Sequence, residues 1–205
     1  MIEQTTAVME DEDEAPSNGQ FWLFGYGSLI WKPPPHFDER LPGYIQGYVR
    51  RFWQASEDHR GTPAAPGRVV TLIERSFWET LGDSEQEMTA EKVWGAAYHI
   101  IPEHVLEVKK YLDIREINGY SIQYTLFHPS DGNRGSIQCM VYIGMPDNPQ
   151  FCGAEDSHDV ARKINESIGP SVSILSIQAH PPRGTNITDG TTFIGRESRV
   201  SASAK

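Results

Sequence analysis

Cysteine is scarce in this chain: Cys139 and Cys152 are the only two in 205 residues, too few for a disulfide framework. Cys139 lies in the strand-like stretch SIQCMVYI, where a small buried hydrophobe is the expected role. The seven histidines include no H-E-x-x-H, and no C-x-x-C occurs, so the usual zinc motifs are missing and no metal or other cofactor is expected. No apolar run approaches the ~18 residues of a membrane span. The opening MIEQTTAVMEDEDEAPSNGQ lacks the basic start and apolar stretch of a secretion signal, so a cytoplasmic protein without a membrane partner is expected. Positive charge is also short: 18 Lys and Arg stand against 28 Asp and Glu, a formal net charge of -10. That balance disfavours a nucleic-acid partner held through its phosphates.

What is present suffices for one core. With 38% hydrophobic residues, a single globular domain over 21–170 is expected, between a disordered acidic N-terminus (1–20) and an irregular tail (171–205). Extended segments are predicted at 21–24, 44–56, 68–74, 93–100, 120–128 and 136–144 from their β-branched and aromatic content, with Gly47 a bulge or close-approach point. The charged, aperiodic stretch 75–92 reads as a surface loop. Pro102 opens a helix whose Val105, Val108 and Leu112 share one face, ending near Asn118-Gly119. A second helix is predicted from Ser157 to Ile168. Strands in the majority with few helices indicate an α+β domain whose sheet can close into a barrel.

Residues 24–31, FGYGSLIW, interrupt a strand with two glycines and a serine. The start resembles a dinucleotide fingerprint, but Ile30 occupies the third glycine position and Pro33, Pro34 and Pro35 stand where the phosphate-binding helix would run. A serine nucleophile elbow needs glycines at positions 26 and 30, which are Tyr and Ile. Two readings remain: a strand-end turn whose amides and Ser28 hydroxyl cradle a small anion such as a carboxylate, or an ordinary hairpin turn. Arg50, Arg51, Arg60 and Arg68 lie among Tyr48, Phe52 and Trp53. Such a cluster can stack nucleobases or neutralise a small anionic ligand, and the acidic net charge favours the ligand.

Taken in order, FGYGSLIW (24–31), RRFWQASEDHRGTPAAPGRVVTLIE (50–74), VWGAAYHI (93–100), YLDIREINGY (111–120) and VYIGMPDNPQFCG (141–153) resemble the ChaC-like γ-glutamylcyclotransferases that act on glutathione. The resemblance covers most of residues 21–170. It implies an α+β fold with a small mixed β-barrel flanked by helices. It also implies a cofactor-free, lyase-type cyclisation releasing 5-oxoproline and cysteinylglycine. By position it makes Glu116 the general base. Gly25, Tyr26, Gly27, Ser28 and Leu29 become the substrate cradle, and Tyr120 and Arg51 are further candidates for substrate binding. Considered alone, Glu116 reads as a solvated carboxylate at a helix end, and only the surrounding motif makes it the base. Its place near the helix C-terminus, with Asp113 three residues back, suits a base whose proton affinity is raised. Tyr120 is equally a core tyrosine.

The pattern departs from the family after Gly169-Pro170-Ser171. The expected Asn-x-Glu-Tyr-Leu and its helix are replaced by VSILSIQAHPPRGTNITDGTTFIGRESRVSASAK, a composition typical of irregular chain. This departure keeps open a catalytically impaired ChaC-like fold that binds without turning over; a less selective γ-glutamyl cyclotransferase is a second alternative, since no residues that recognise the cysteinylglycine half are identifiable. RNA binding through the Arg-aromatic stretch is a third.

Overall fold

The computed structural model describes residues 20–83, 89–115 and 120–169. The acidic N-terminus before residue 20, the tail from 170, Glu116 and the helix end expected at Asn118-Gly119 lie outside the described residues. Inside them are seven strands: β1 (Phe21–Gly25), β2 (Phe37–Gln46), β3 (Tyr48–Ser56), β4 (Gly67–Glu74), β5 (Lys92–Ile100), β6 (Tyr120–Pro129) and β7 (Ile137–Gly144). Three α-helices accompany them: α1 (Arg75–Trp78), α2 (Val105–Arg115) and α3 (Ser157–Glu166).

Five strands close into a barrel in the order β1-β5-β2-β6-β7, while β3 and β4 form a separate two-stranded sheet. All barrel pairings are antiparallel except β1 with β7, which meet in parallel at Leu23 and Met140. Side chains alternate across each strand, and the register sorts them into two apolar clusters. Trp22 faces His99 and Phe24 faces Ala97 across β1 and β5. Trp22, Phe24 and Ala97 join Ile45, Phe127, Cys139 and Val141 in a cluster drawn from all five barrel strands. The intervening residues Leu23, Tyr98 and Met140 turn the other way and receive Val108 and Leu112 of α2. These two helix residues are fully buried and contribute about 1.5–3 kcal/mol each in area removed from water. Pro102 begins a 3-10 turn, Pro102–His104, that leads directly into α2.

Two expectations require correction. The extended segment 44–56 is two strands in different sheets. Gly47 takes φ +83° between them, a conformation that only glycine adopts freely, and the chain leaves the barrel there. The stretch 75–92 is not wholly a surface loop either. Trp78 is 2% exposed and packs with Val49, Trp53 and Ile73 in a third cluster, while its indole N–H donates to Asp83 (2.7 Å). Its charge content concealed one buried aromatic anchor. The second helix forms as expected from Ser157 but ends at Glu166, with the Asp156 carboxylate accepting from the N–H groups of His158 and Asp159, an N-cap.

Candidate active site

The FGYGSLIW segment leaves the barrel at the C-terminal end of β1. Residues Ser28–Ile30 form one 3-10 turn, closed by N–H groups of Ile30 and Trp31 donating to the carbonyls of Gly27 and Ser28 (3.0 and 3.1 Å). The amides at the start of such a turn are not consumed by it. Gly27 has φ −132°, so a left-handed backbone is not its reason for being glycine. A Cβ there would stand 2.7 Å from Val70 Cγ1. A Cβ on Gly25 would meet Leu29 Cβ at the same separation. Both glycines allow close packing, of the loop on β4 and of the loop on itself.

The rest of the loop is tied down from below. Leu29 is buried among Leu23, Tyr98, Val108 and Leu112, and its carbonyl accepts from the Tyr98 hydroxyl (2.8 Å). Its side chain and its carbonyl therefore both anchor the loop in the core. Tyr26 is likewise buried; its hydroxyl donates to the Tyr142 carbonyl (2.7 Å). Ser28 is exposed.

The same tyrosine on β7 reaches the helix. The Tyr142 hydroxyl donates to Asp113 Oδ1 (2.9 Å), two residues before the end of α2. Tyr142 thus links the FGYGSLIW loop to the C-terminal turn of α2, and Glu116 follows Arg115 in sequence. Tyr120, the first residue of β6, donates to the carbonyl of Val70 (3.2 Å), the residue that Gly27 packs against. Tyr26, Gly27, Val70, Tyr120, Tyr142 and Asp113 therefore form one connected group spanning the loop, β4, β6, β7 and α2.

The arginines separate by strand alternation. Arg50 is 8% exposed, and its Nη1 donates to the carbonyls of Tyr26 (3.2 Å) and Trp94 (3.0 Å). Arg51 points to the other face of β3. Its Nε donates to Asp83 Oδ2 (2.8 Å), its Nη1 to the Arg50 carbonyl, and its Nη2 to Thr89, with the guanidinium over the Trp78 ring. The structure brings Arg50, not Arg51, to the FGYGSLIW loop. Arg68 forms a two-pronged pair with Glu155 (2.7 and 3.1 Å), which Lys163 also contacts. Burial pushes the Glu155 carboxyl up, but the hydrogen bonds from Arg68 and Lys163 outweigh it and hold the group below its ordinary range. Burial drives the Cys139 thiol far above its usual value, as befits a core residue.

Sequence reasoning did not single out Val70 or Tyr142. Val70 lies in an apolar strand with nothing to distinguish it from its neighbours. Tyr142 offered one faint signal, a polar tip inside the apolar run CMVYIG.

Comparison with known proteins places these features in a group. The model of the ChaC-like protein family matches residues 21–175. The chain is 43% identical over 155 residues to the glutathione-specific gamma-glutamylcyclotransferase of Schizosaccharomyces pombe, covering 75% of this chain and 76% of that protein. It is 38% identical to the Saccharomyces cerevisiae protein of the same name, covering 76% of this chain and 81% of that one. A crystal structure of the glutathione-specific enzyme from yeast, selenomethionine-labelled, superposes with a TM-score of 0.69 at 36% identity, covering 78% of this chain and 83% of that chain.

Proposed function

Since the chain belongs to the ChaC-like family, we propose that it is a glutathione-specific γ-glutamylcyclotransferase that degrades glutathione to 5-oxoproline and cysteinylglycine. The α-amine of the γ-glutamyl group attacks that group's own side-chain amide carbonyl. The C–N bond to cysteine breaks, and the proton lost by the attacking ammonium ends on the departing amine. Nucleophile and electrophile are in one molecule, so the site gains most by holding a folded glutamyl conformer and by accepting and returning one proton.

Glu116 is the base in this reading. The loop at Tyr26, Gly27 and Ser28 receives the α-carboxylate on its backbone amides, Gly25 and Leu29 hold that loop in shape, and Tyr120 borders the same space. The observation that carries the assignment is the Tyr26–Tyr142–Asp113 chain, which fixes the cradle beside the end of the helix from which Glu116 follows. Nucleic-acid stacking is disfavoured by the same geometry for three of the four arginines: Arg50 is buried, Arg51 is held by Asp83 and Arg68 by Glu155, while Arg60 is exposed. Among the described residues no helix is long and apolar enough to cross a membrane. A reducing, cytoplasmic setting suits the free thiols Cys139 and Cys152. The test is product identity. Purified protein incubated with glutathione should release cysteinylglycine and 5-oxoproline in equal amounts; glutamate in place of 5-oxoproline, or no turnover by folded protein, would overturn the proposal.

A further inference from the structure

The fold assembles a second cluster of chemically competent side chains that the sequence spacing conceals. His36 ends the connection from β1 to β2, His104 closes the 3-10 turn before α2, and Glu107 lies in the first turn of α2. His104 Nδ1 is 2.8 Å from one Glu107 oxygen, and His36 Nε2 is 3.3 Å from the other. One donor atom from each residue lies within 4.8 Å of the other two. His36 holds φ +57°, while its carbonyl accepts from Ile101 N–H (3.0 Å).

We propose that His36, His104 and Glu107 form a site for one divalent transition-metal ion, with zinc the fitting choice. Two imidazoles and a carboxylate are donors suited to Zn2+, which binds them at about 2.0–2.2 Å and leaves a further position open to solvent. Ligand atoms around such an ion stand about 3–4 Å apart; the two histidine nitrogens approach the Glu107 carboxylate to 2.8 and 3.3 Å, and the three donor atoms lie within 4.8 Å of one another. The His36 and His104 rings stack at 3.9 Å with 7° between their planes. A bound ion lies in the plane of each imidazole, so one ring turns out of the stack on loading. Side-chain exposures of 36% for His36 and 39% for His104 leave room for that rotation.

The position gives the ion a consequence. His36 lies at the end of the segment that leaves the cradle at Ser28, and Glu107 is about 12 Å along α2 from Arg115 at 1.5 Å per residue. The ion would fasten both segments that lead to the active site to each other, at the end of α2 remote from the chemistry.

The test is titration of the full-length protein with zinc chloride, without glutathione, since thiols compete for the ion. One equivalent should bind. Melting temperature should rise by roughly 5–10 °C at a hundredfold excess over the dissociation constant. The rise should vanish in His104→Gln and Glu107→Gln and persist in Cys152→Ser. His36→Asn, which keeps a residue tolerant of positive φ, should lose it as well. Melting of each variant in chelator, where the wild-type value is expected, establishes that a lost response is not lost folding. Cobalt(II) in place of zinc should show visible bands without the near-ultraviolet charge transfer of a thiolate ligand. No saturable zinc response, a response unchanged in both His104→Gln and Glu107→Gln, or a response abolished by Cys152→Ser would overturn the proposal.

Discussion

Replacing Gly27 by alanine places a methyl carbon 2.7 Å from Val70 Cγ1, whereas carbon atoms pack favourably at about 3.5–4.0 Å. Loop or strand must yield by about 0.8 Å. Overfilling of this kind costs about 1–3 kcal/mol, offset by up to about 1 kcal/mol because alanine restricts the unfolded chain. The net loss of about 1–2 kcal/mol corresponds to roughly 2–8 °C in melting temperature for a protein of this size. Val70→Ala alone removes two half-buried methyl groups and costs up to about 1.5 kcal/mol. The double variant has no colliding atom. Gly27→Ala and Val70→Ala should therefore couple by about 1 kcal/mol or more in the rescuing direction, with the glutathione KM of the double variant closer to wild type than that of Gly27→Ala. Thermal melts and steady-state kinetics on all four proteins provide the cycle. Strict additivity in both readouts would refute the packing role of Gly27. So would a Gly27→Ala protein that keeps full stability yet loses all binding, since the methyl group would then face the ligand rather than Val70.

Three further perturbations probe the surrounding framework. Tyr142→Phe removes the hydrogen bond to Asp113 while keeping the ring in place. It should cost about 0.5–1.5 kcal/mol of stability and lower kcat more than it raises KM, which parallel stability and kinetic measurements will show. Arg51→Ala should act through folding, lowering the melting temperature and leaving KM unchanged, because its guanidinium is engaged by Asp83 and Thr89; a KM effect at unchanged stability would place it on the substrate. Glu155→Gln tests linkage: a carboxyl with a lowered folded-state pKa stabilises the fold above its unfolded value of about 4.3. That contribution is lost as pH falls through the lower folded value. Urea melts should show wild type more stable than Glu155→Gln at pH 7, with the gap closing in acid.

Most sheet segments were legible because β-branched and aromatic residues mark strands locally, and the Val105, Val108, Leu112 spacing marked the buried face of α2; the first part of β2, residues 37–43, was not, because its charged residues and Pro42-Gly43 read against a strand. Which strands share a sheet was not. The separation of β2 from β3 rests on one glycine at φ +83°, and sequence alone does not distinguish a bulge from a change of sheet. Trp78 was obscured because its partner in hydrogen bonding, Asp83, lies in a stretch whose charge suggests exposure. Within the site, the loop is recognisable from its glycines, but their reason is not: the atoms that forbid a Cβ belong to Val70 and Leu29, and Val70 is 43 positions away. Arg50 and Arg51 are indistinguishable as letters, and only strand alternation assigns one to the Tyr26 carbonyl and the other to Asp83. The His36, His104, Glu107 cluster was hidden in the same way, with His36 brought from another segment by the barrel.

In the proposed reaction Glu116 accepts the proton of an amine that attacks within its own molecule. The direct measurement is turnover of glutathione in 18O-labelled water by wild type and by Glu116→Gln, with products resolved by mass and glutathione binding measured calorimetrically. Wild type should yield unlabelled 5-oxoproline, since no water enters the cyclisation. Glu116→Gln should bind glutathione and turn it over about 10²–10⁴-fold more slowly, the usual contribution of a positioned base. Labelled glutamate as the primary product, or near-normal 5-oxoproline formation by Glu116→Gln, would contradict it.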